Sequence, residues 1–76
     1  MDINDFIKRF AAQFDDTDES EITLDCSFKD LDEWSSLVGM SVLNIISKKY
    51  GVKLSLADFK NVETVKDLFD LVQSKL

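Results

Sequence analysis

The chain has 76 residues, one small domain's worth, and this length leaves little room for an enclosed active site. Its formal charge of −6, from 15 acidic and 9 basic residues, argues against a nucleic-acid partner and favours partners that present lysine and arginine. With no histidine and one cysteine, it lacks the side chains for a zinc site or for a Ser-His or Cys-His nucleophile.

The chain also lacks the sequence features of a membrane-spanning protein, of a metal-binding loop and of a secreted protein with disulfides. No apolar run approaches the roughly 18 residues of a membrane span, the first residues are acidic, and Cys26 has no partner for a disulfide. The acidic run from Asp16 has the first spacings of a calcium loop, but Glu21 stands where glycine is needed. We therefore expect a cytoplasmic monomer without a metal, folded as one domain over residues 1–76.

The first predicted element is an amphipathic helix near residues 3–14, followed by a long loop over residues 15–35. The helix is indicated by apolar residues at helical spacing, namely Ile3, Phe6, Ile7, Phe10, Ala11 and Phe14. The loop has no such stripe, and a loop of this length in a small domain is usually functional or contains short turns. We expect apolar side chains to hold it down: Leu24, Phe28, Leu31 and Trp34.

Three more helices are predicted in the second half. One runs over Ser36–Tyr50 and is followed by Gly51, the residue type that ends helices in a left-handed turn. Residues 55–59 indicate a short third helix with a serine cap, and Thr64 with Asp67 resembles the capping box of a fourth. The absence of proline and of β-type alternation favours an all-α fold, a four-helix bundle with a long loop between helices 1 and 2.

Two serines stand where the acidic loop meets the second helix. Serine is a preferred N-cap, and Ser35 is well placed for that role. A serine in the first turn faces unpaired N–H groups and the positive end of the helix dipole, so a phosphate ester on Ser36 would be electrostatically favoured. We expect Ser35 to cap the helix and Ser36 to carry chemistry.

A helical wheel at about 100° per residue indicates a docking spot beside Ser36. It places Leu37 among polar side chains and Met40 at the margin of the same arc. Methionine suits contact with several different partners. We therefore predict that both side chains are exposed and that partner proteins dock on them.

Taken in order, these features resemble an acyl carrier protein over nearly the whole chain. The resemblance rests on the phenylalanine-rich first helix and on four motifs: the stretch 22–31, Trp34-Ser35-Ser36-Leu37, Tyr50-Gly51-Val52, and Thr64-Val65-Lys66-Asp67-Leu68. It implies a carrier rather than an enzyme. A phosphopantetheinyl transferase would attach 4′-phosphopantetheine from coenzyme A to Ser36, and the arm would bring acyl thioesters to acyl-loading and acyl-processing enzymes of fatty-acid, polyketide or a related specialised pathway.

The chain departs from the family pattern at two places. Ser35 replaces the usual aspartate, and the second helix carries Lys48 and Lys49 instead of the typical acidic surface. An aminoacyl or peptidyl carrier and an unmodified helical docking module remain as alternatives.

The resemblance also implies a cleft in which an acyl chain can slip between helices. The residues that would border it, and that otherwise are simply core, are Phe28, Ile46, Leu54, Phe59, Val62 and Leu68. The bulk of Phe59 favours a short or absent internal pocket.

Overall fold

The regular structure of the chain is entirely helical, which confirms the all-α prediction. The computed structural model describes all residues from 1 to 76. Three α-helices and three 3₁₀ segments follow in this order: α1 Ile3–Ala11, 3₁₀ turns at Glu19–Glu21 and Phe28–Asp30, α2 Ser36–Tyr50, a 3₁₀ helix at Leu56–Asn61, and α3 Val65–Ser74.

Helix α1 begins as expected but ends earlier than predicted. The Asp2 carboxylate accepts the Asn4 N–H at 2.9 Å and caps the start. The helix ends at Ala11, and the N–H groups of Gln13 and Phe14 bond carbonyl oxygens three residues back, at 3.1 and 3.0 Å. This tighter turn still buries the Phe14 ring, so the apolar stripe continues beyond the α-helical hydrogen bonds.

The loop over residues 15–35 is held against the rest of the fold. Phe28 is fully buried and Leu24, Leu31 and Trp34 are half-buried, as expected, while buried Ile22 is an additional anchor. The loop carbonyls also accept backbone bonds from the start of α3: Val65 N–H to Cys26 and Lys66 N–H to Leu24, at 3.1 and 3.0 Å. The segment leading to α2 is therefore fixed at several points.

The predicted ends of the later helices are also present. Gly51 ends α2 with a φ of 69°, a left-handed conformation that favours glycine. Thr64 Oγ1 accepts the Asp67 N–H, and the Asp67 carboxylate accepts the Thr64 N–H, both at 3.2 Å. The third helix, however, is a 3₁₀ helix, and α3 ends at Ser74, so that Leu76 lies beyond it and is exposed.

A continuous run of aromatic rings forms the centre of the core. At one end Phe6 contacts the rings of Tyr50 and Phe69, with centroids 6.0 and 5.4 Å apart. At the other end Trp34 contacts Phe28 and Phe59, at 4.9 and 5.1 Å. All 15 buried side chains of the core are apolar, so the chemistry of the molecule lies on its surface. None of the helices has the length and apolarity needed to cross a membrane.

Candidate attachment site and docking surface

Ser35 is the N-cap of α2, as predicted. Its backbone is extended, with φ −155° and ψ 172°, and its Oγ accepts the Val38 N–H at 3.3 Å. Its carbonyl oxygen accepts the Gly39 N–H at 2.9 Å and so starts the helical ladder. The Ser35 hydroxyl is therefore engaged in the structure of the helix.

Ser36 is the first residue of α2, and its exposed side chain is in a different situation. Its hydroxyl makes no hydrogen bond within the chain, and the backbone N–H groups of Ser36 and Leu37 have no acceptor there. The first turn of α2 holds no acidic side chain. Free N–H groups and the positive end of the helix dipole favour a phosphate at this position, so Ser36 fits a phosphate-linked group.

Glu33 fixes the segment that leads to these serines. Its carboxylate accepts hydrogen bonds from the Asp15 N–H, from the Asp16 N–H at 3.0 Å and from the Thr17 hydroxyl at 2.9 Å. Partial desolvation raises the pKa of Glu33, but these bonds outweigh it and lower the pKa below its ordinary value. Through its carboxylate, Glu33 thus ties the segment just before α2 to the segment just after α1.

Sequence reasoning missed this role of Glu33. In the sequence, Glu33 is one of several acidic residues of the loop over residues 15–35. Its bonding partners lie 16 to 18 residues away in the chain, and no local spacing marks such a pairing. The residue type gives only a weak signal, a carboxylate next to a half-buried tryptophan.

Leu37 and Met40 are exposed beside Ser36, as the wheel indicated. Leu37 has 78% of its surface exposed and Met40 has 56%. Helix α2 contains no aspartate or glutamate, and its last turn carries Lys48 and Lys49. An apolar spot therefore adjoins the serine, and nine of the 15 acidic residues lie in the preceding loop over residues 15–35.

The residues expected to border an acyl cleft lie together in the packed interior. Leu54 is half-buried against the core, and the other five are buried members of it: Phe28, Ile46, Phe59, Val62 and Leu68. They bring together the loop, α2, the 3₁₀ helix and α3.

Comparison with known proteins agrees with this geometry. The sequence model of the family described as "Phosphopantetheine attachment site" matches residues 5–72, nearly the whole chain. The chain belongs to this acyl carrier family. Carrier domains of the family are not catalysts, and their cofactor is covalently bound 4′-phosphopantetheine.

The carrier domain is also similar to a curated relative, "Polyketide-8 synthase acyl carrier protein 2" of Streptomyces avermitilis. The two are 27% identical over 70 residues, which cover 92% of this chain and 80% of the relative. Because only about six residues of the chain lie outside the alignment, it includes Ser36 and α2.

Proposed function

We propose that this carrier domain transports acyl groups on a 4′-phosphopantetheine arm attached to Ser36. The observation that supports this most directly is the free, exposed Ser36 hydroxyl in the first turn of α2, within a chain that matches the family over residues 5–72. Residues 1–76 act as one carrier unit, and a phosphopantetheinyl transferase supplies the arm from coenzyme A.

The residues at the start of α2 have distinct parts in this attachment. The Ser36 oxygen forms the new bond to phosphorus and loses its proton, and the nucleotide part of coenzyme A leaves. The free N–H groups of Ser36 and Leu37 lie at the end of the helix where the negative charge of the phosphodiester is stabilised. Once attached, the arm supplies a thiol that holds acyl groups as thioesters.

Partner enzymes, in this proposal, contact the apolar spot made by Leu37 and Met40. Both side chains are exposed within one turn of Ser36, and a contact there places the arm at the entrance of the partner's active site. Because α2 carries no carboxylate, this contact is mainly apolar. The acidic loop over residues 15–33 precedes α2 in the chain and offers carboxylates to basic side chains of a partner.

The similarity to a polyketide synthase carrier favours acyl cargo of a polyketide-type pathway over fatty-acid synthesis. An aminoacyl or peptidyl carrier is the second candidate, and the two differ in cargo rather than in attachment. An unmodified helical docking module is the third.

Intact-mass measurement tests the proposal. The wild-type protein, incubated with coenzyme A and a broad-specificity transferase, should gain the mass of one phosphopantetheine. Ser36→Ala should gain nothing, whereas Ser35→Ala, the matched control at the adjacent position, should still be modified. A wild-type protein that several transferases leave unmodified would favour the docking module.

A further inference from the structure

Three large side chains pack on helix α2 beneath Ser36: buried Phe59, half-buried Trp34 and Leu56, which is 40% exposed. Gly39 lies one helical turn after Ser36 and is buried. A Cβ atom built on Gly39 would lie 3.3 Å from Leu56 Cδ2, 3.3 Å from Phe59 Cε2 and 3.4 Å from Trp34 Cη2. These side chains therefore lie close against the backbone of α2, and a Cβ atom at position 39 would require them to move by a few tenths of an ångström.

Two of these side chains belong to a tight aromatic group. Trp34, Phe28 and Phe59 meet edge to face, with centroid separations of 4.9 Å for Trp34–Phe28, 5.1 Å for Trp34–Phe59 and 5.9 Å for Phe28–Phe59. This arrangement is favourable for aromatic rings. Lys29 adds a hydrogen bond from Nζ to the Phe59 carbonyl oxygen at 2.8 Å, which fixes the 3₁₀ helix that carries Phe59.

An acyl chain entering between α2 and the 3₁₀ helix would have to displace these rings. Apolar burial is favourable in proportion to the area removed from water. Phe59 is only 6% exposed and Phe28 fully buried, so expelling them would expose about as much apolar surface as a chain in their place would hide. Entry of an acyl chain would therefore bury little additional apolar surface, and the contacts between the rings would be lost.

We propose that an acyl group carried on Ser36 stays outside the helix bundle, and that Trp34, Leu56 and Phe59, packed on Gly39, close the interior to it. This inference rests on the proposed attachment at Ser36. A long alkyl chain left in water is unfavourable. The cargo class that fits is therefore short acyl groups, or longer ones made polar by keto or hydroxyl groups.

Trp34 provides a reporter at the closed position, because it is the only tryptophan of the chain. The wild-type protein is loaded with acetyl- or octanoyl-phosphopantetheine from the matching coenzyme A thioester, and loading is verified by intact mass. We expect the two forms to have the same Trp34 emission spectrum and unfolding midpoints within about 1 °C of each other, well below the shift of a buried ligand.

Phe59→Ala should open the interior, and Phe6→Ala is the matched control. Phe6 is also buried, but its ring contacts Phe10, Tyr50 and Phe69 rather than Trp34. In Phe59→Ala, the octanoyl group but not the acetyl group should raise the midpoint by about 4 °C or more and alter the Trp34 emission. Phe6→Ala should show neither effect. Phe59→Leu replaces Phe59→Ala if the latter does not fold.

The outcomes separate this inference from the proposed function. If no loading is seen by mass, the attachment at Ser36 is wrong. If loading succeeds and the octanoyl group stabilises the wild type or changes its Trp34 emission, the attachment is correct and the closed interior is wrong. If the octanoyl group has no effect on the Phe59 variant, or an equal effect on Phe6→Ala, Phe59 is not the closing residue.

Discussion

Neighbouring residues around the start of α2 differ sharply in what their side chains do. The Ser35 hydroxyl oxygen accepts the Val38 N–H and so caps the helix, whereas the Ser36 hydroxyl, one residue later, is free. Glu33 gathers three donors from the other side of the loop, whereas the adjacent Asp32 is exposed and accepts no hydrogen bond. Local geometry, rather than residue type, therefore decides which side chains are engaged in holding the fold and which are free to react or bind.

Glu33→Gln should destabilise the protein in a pH-dependent way. The pKa of Glu33 is lower in the folded state, so its contribution is complete above the ordinary value of 4.5 and is lost as the pH falls from there through the folded pKa. The difference in unfolding midpoint between wild type and Glu33→Gln should therefore be largest near neutral pH and shrink in acid. Thermal unfolding at a series of pH values measures it.

Asp32→Asn is the control for this prediction, because it removes a neighbouring carboxylate that accepts no hydrogen bond. It should change the midpoint little at any pH. An equal effect of the two substitutions would mean that the charge of the loop, not the bonding of Glu33, is responsible.

Helix α2 is specified at both ends by local signals. Ser35 caps its start, Gly51 ends it, and Lys48 and Lys49 lie where the helix dipole favours positive charge. No carboxylate competes for the positive end near Ser36. The element therefore combines a fixed start with an anion-favouring position.

Ser35→Ala should lower the free energy of unfolding by about 1 kcal/mol, since it removes the N-cap acceptor of the Val38 N–H. Ser36→Ala removes a hydroxyl that makes no hydrogen bond in the chain, so it should change stability by no more than about 0.5 kcal/mol. Urea unfolding of both variants measures the contrast. A larger loss for Ser36→Ala would show that this hydroxyl has a structural role.

The sequence predicted what local patterns determine and missed what distant contacts determine. The starts of the helices, the Gly51 turn and the exposure of Leu37 and Met40 follow from caps and periodicity. The early end of α1 could not be predicted from periodicity, because a 3₁₀ turn buries Phe14 as well as an α-helical turn would. The Glu33 bonds and the packing of Phe59 on Gly39 join segments that are far apart in the chain, and no spacing rule identifies them.

Charge is unevenly distributed over the whole molecule. Eleven of the 15 acidic residues precede Ser35, and six of the 9 basic residues follow it. Ser36, the proposed attachment serine, lies at the boundary of these two parts of the sequence, beside the exposed Leu37 and Met40. In the proposed docking, a partner contacts these apolar side chains, and the negative charge lies mainly in the part of the chain that precedes them.

Met40→Glu should slow acyl loading or transfer by a partner enzyme without unfolding the protein. Met40 is 56% exposed, so the free energy of unfolding should change by no more than about 0.5 kcal/mol. Asn44→Glu, an exposed position one turn further along α2, adds the same charge away from Ser36 and should have a smaller effect on the rate. The prediction is checked by measuring the acyl-loading rates of the wild type, Met40→Glu and Asn44→Glu, and equal rates for the two variants would contradict it.

The salt dependence of the loading rate distinguishes an apolar docking contact from an acidic one. Exposed charges are screened over about 8 Å at physiological ionic strength, so a mainly apolar contact at Leu37 and Met40 should leave the wild-type rate only weakly dependent on salt. A steep loss of rate with salt would place the main contact on the acidic loop over residues 15–33 instead.

Peptide mapping of the modified wild-type protein tests the central claim most directly. Cleavage after Lys29 and Lys48 releases residues 30–48, which contain Ser35, Ser36, Ser41 and Ser47. Fragmentation of this peptide after treatment with coenzyme A and a transferase should place one phosphopantetheine on Ser36. A phosphopantetheine on any other serine, or a wild-type peptide that remains unmodified, would contradict the assignment.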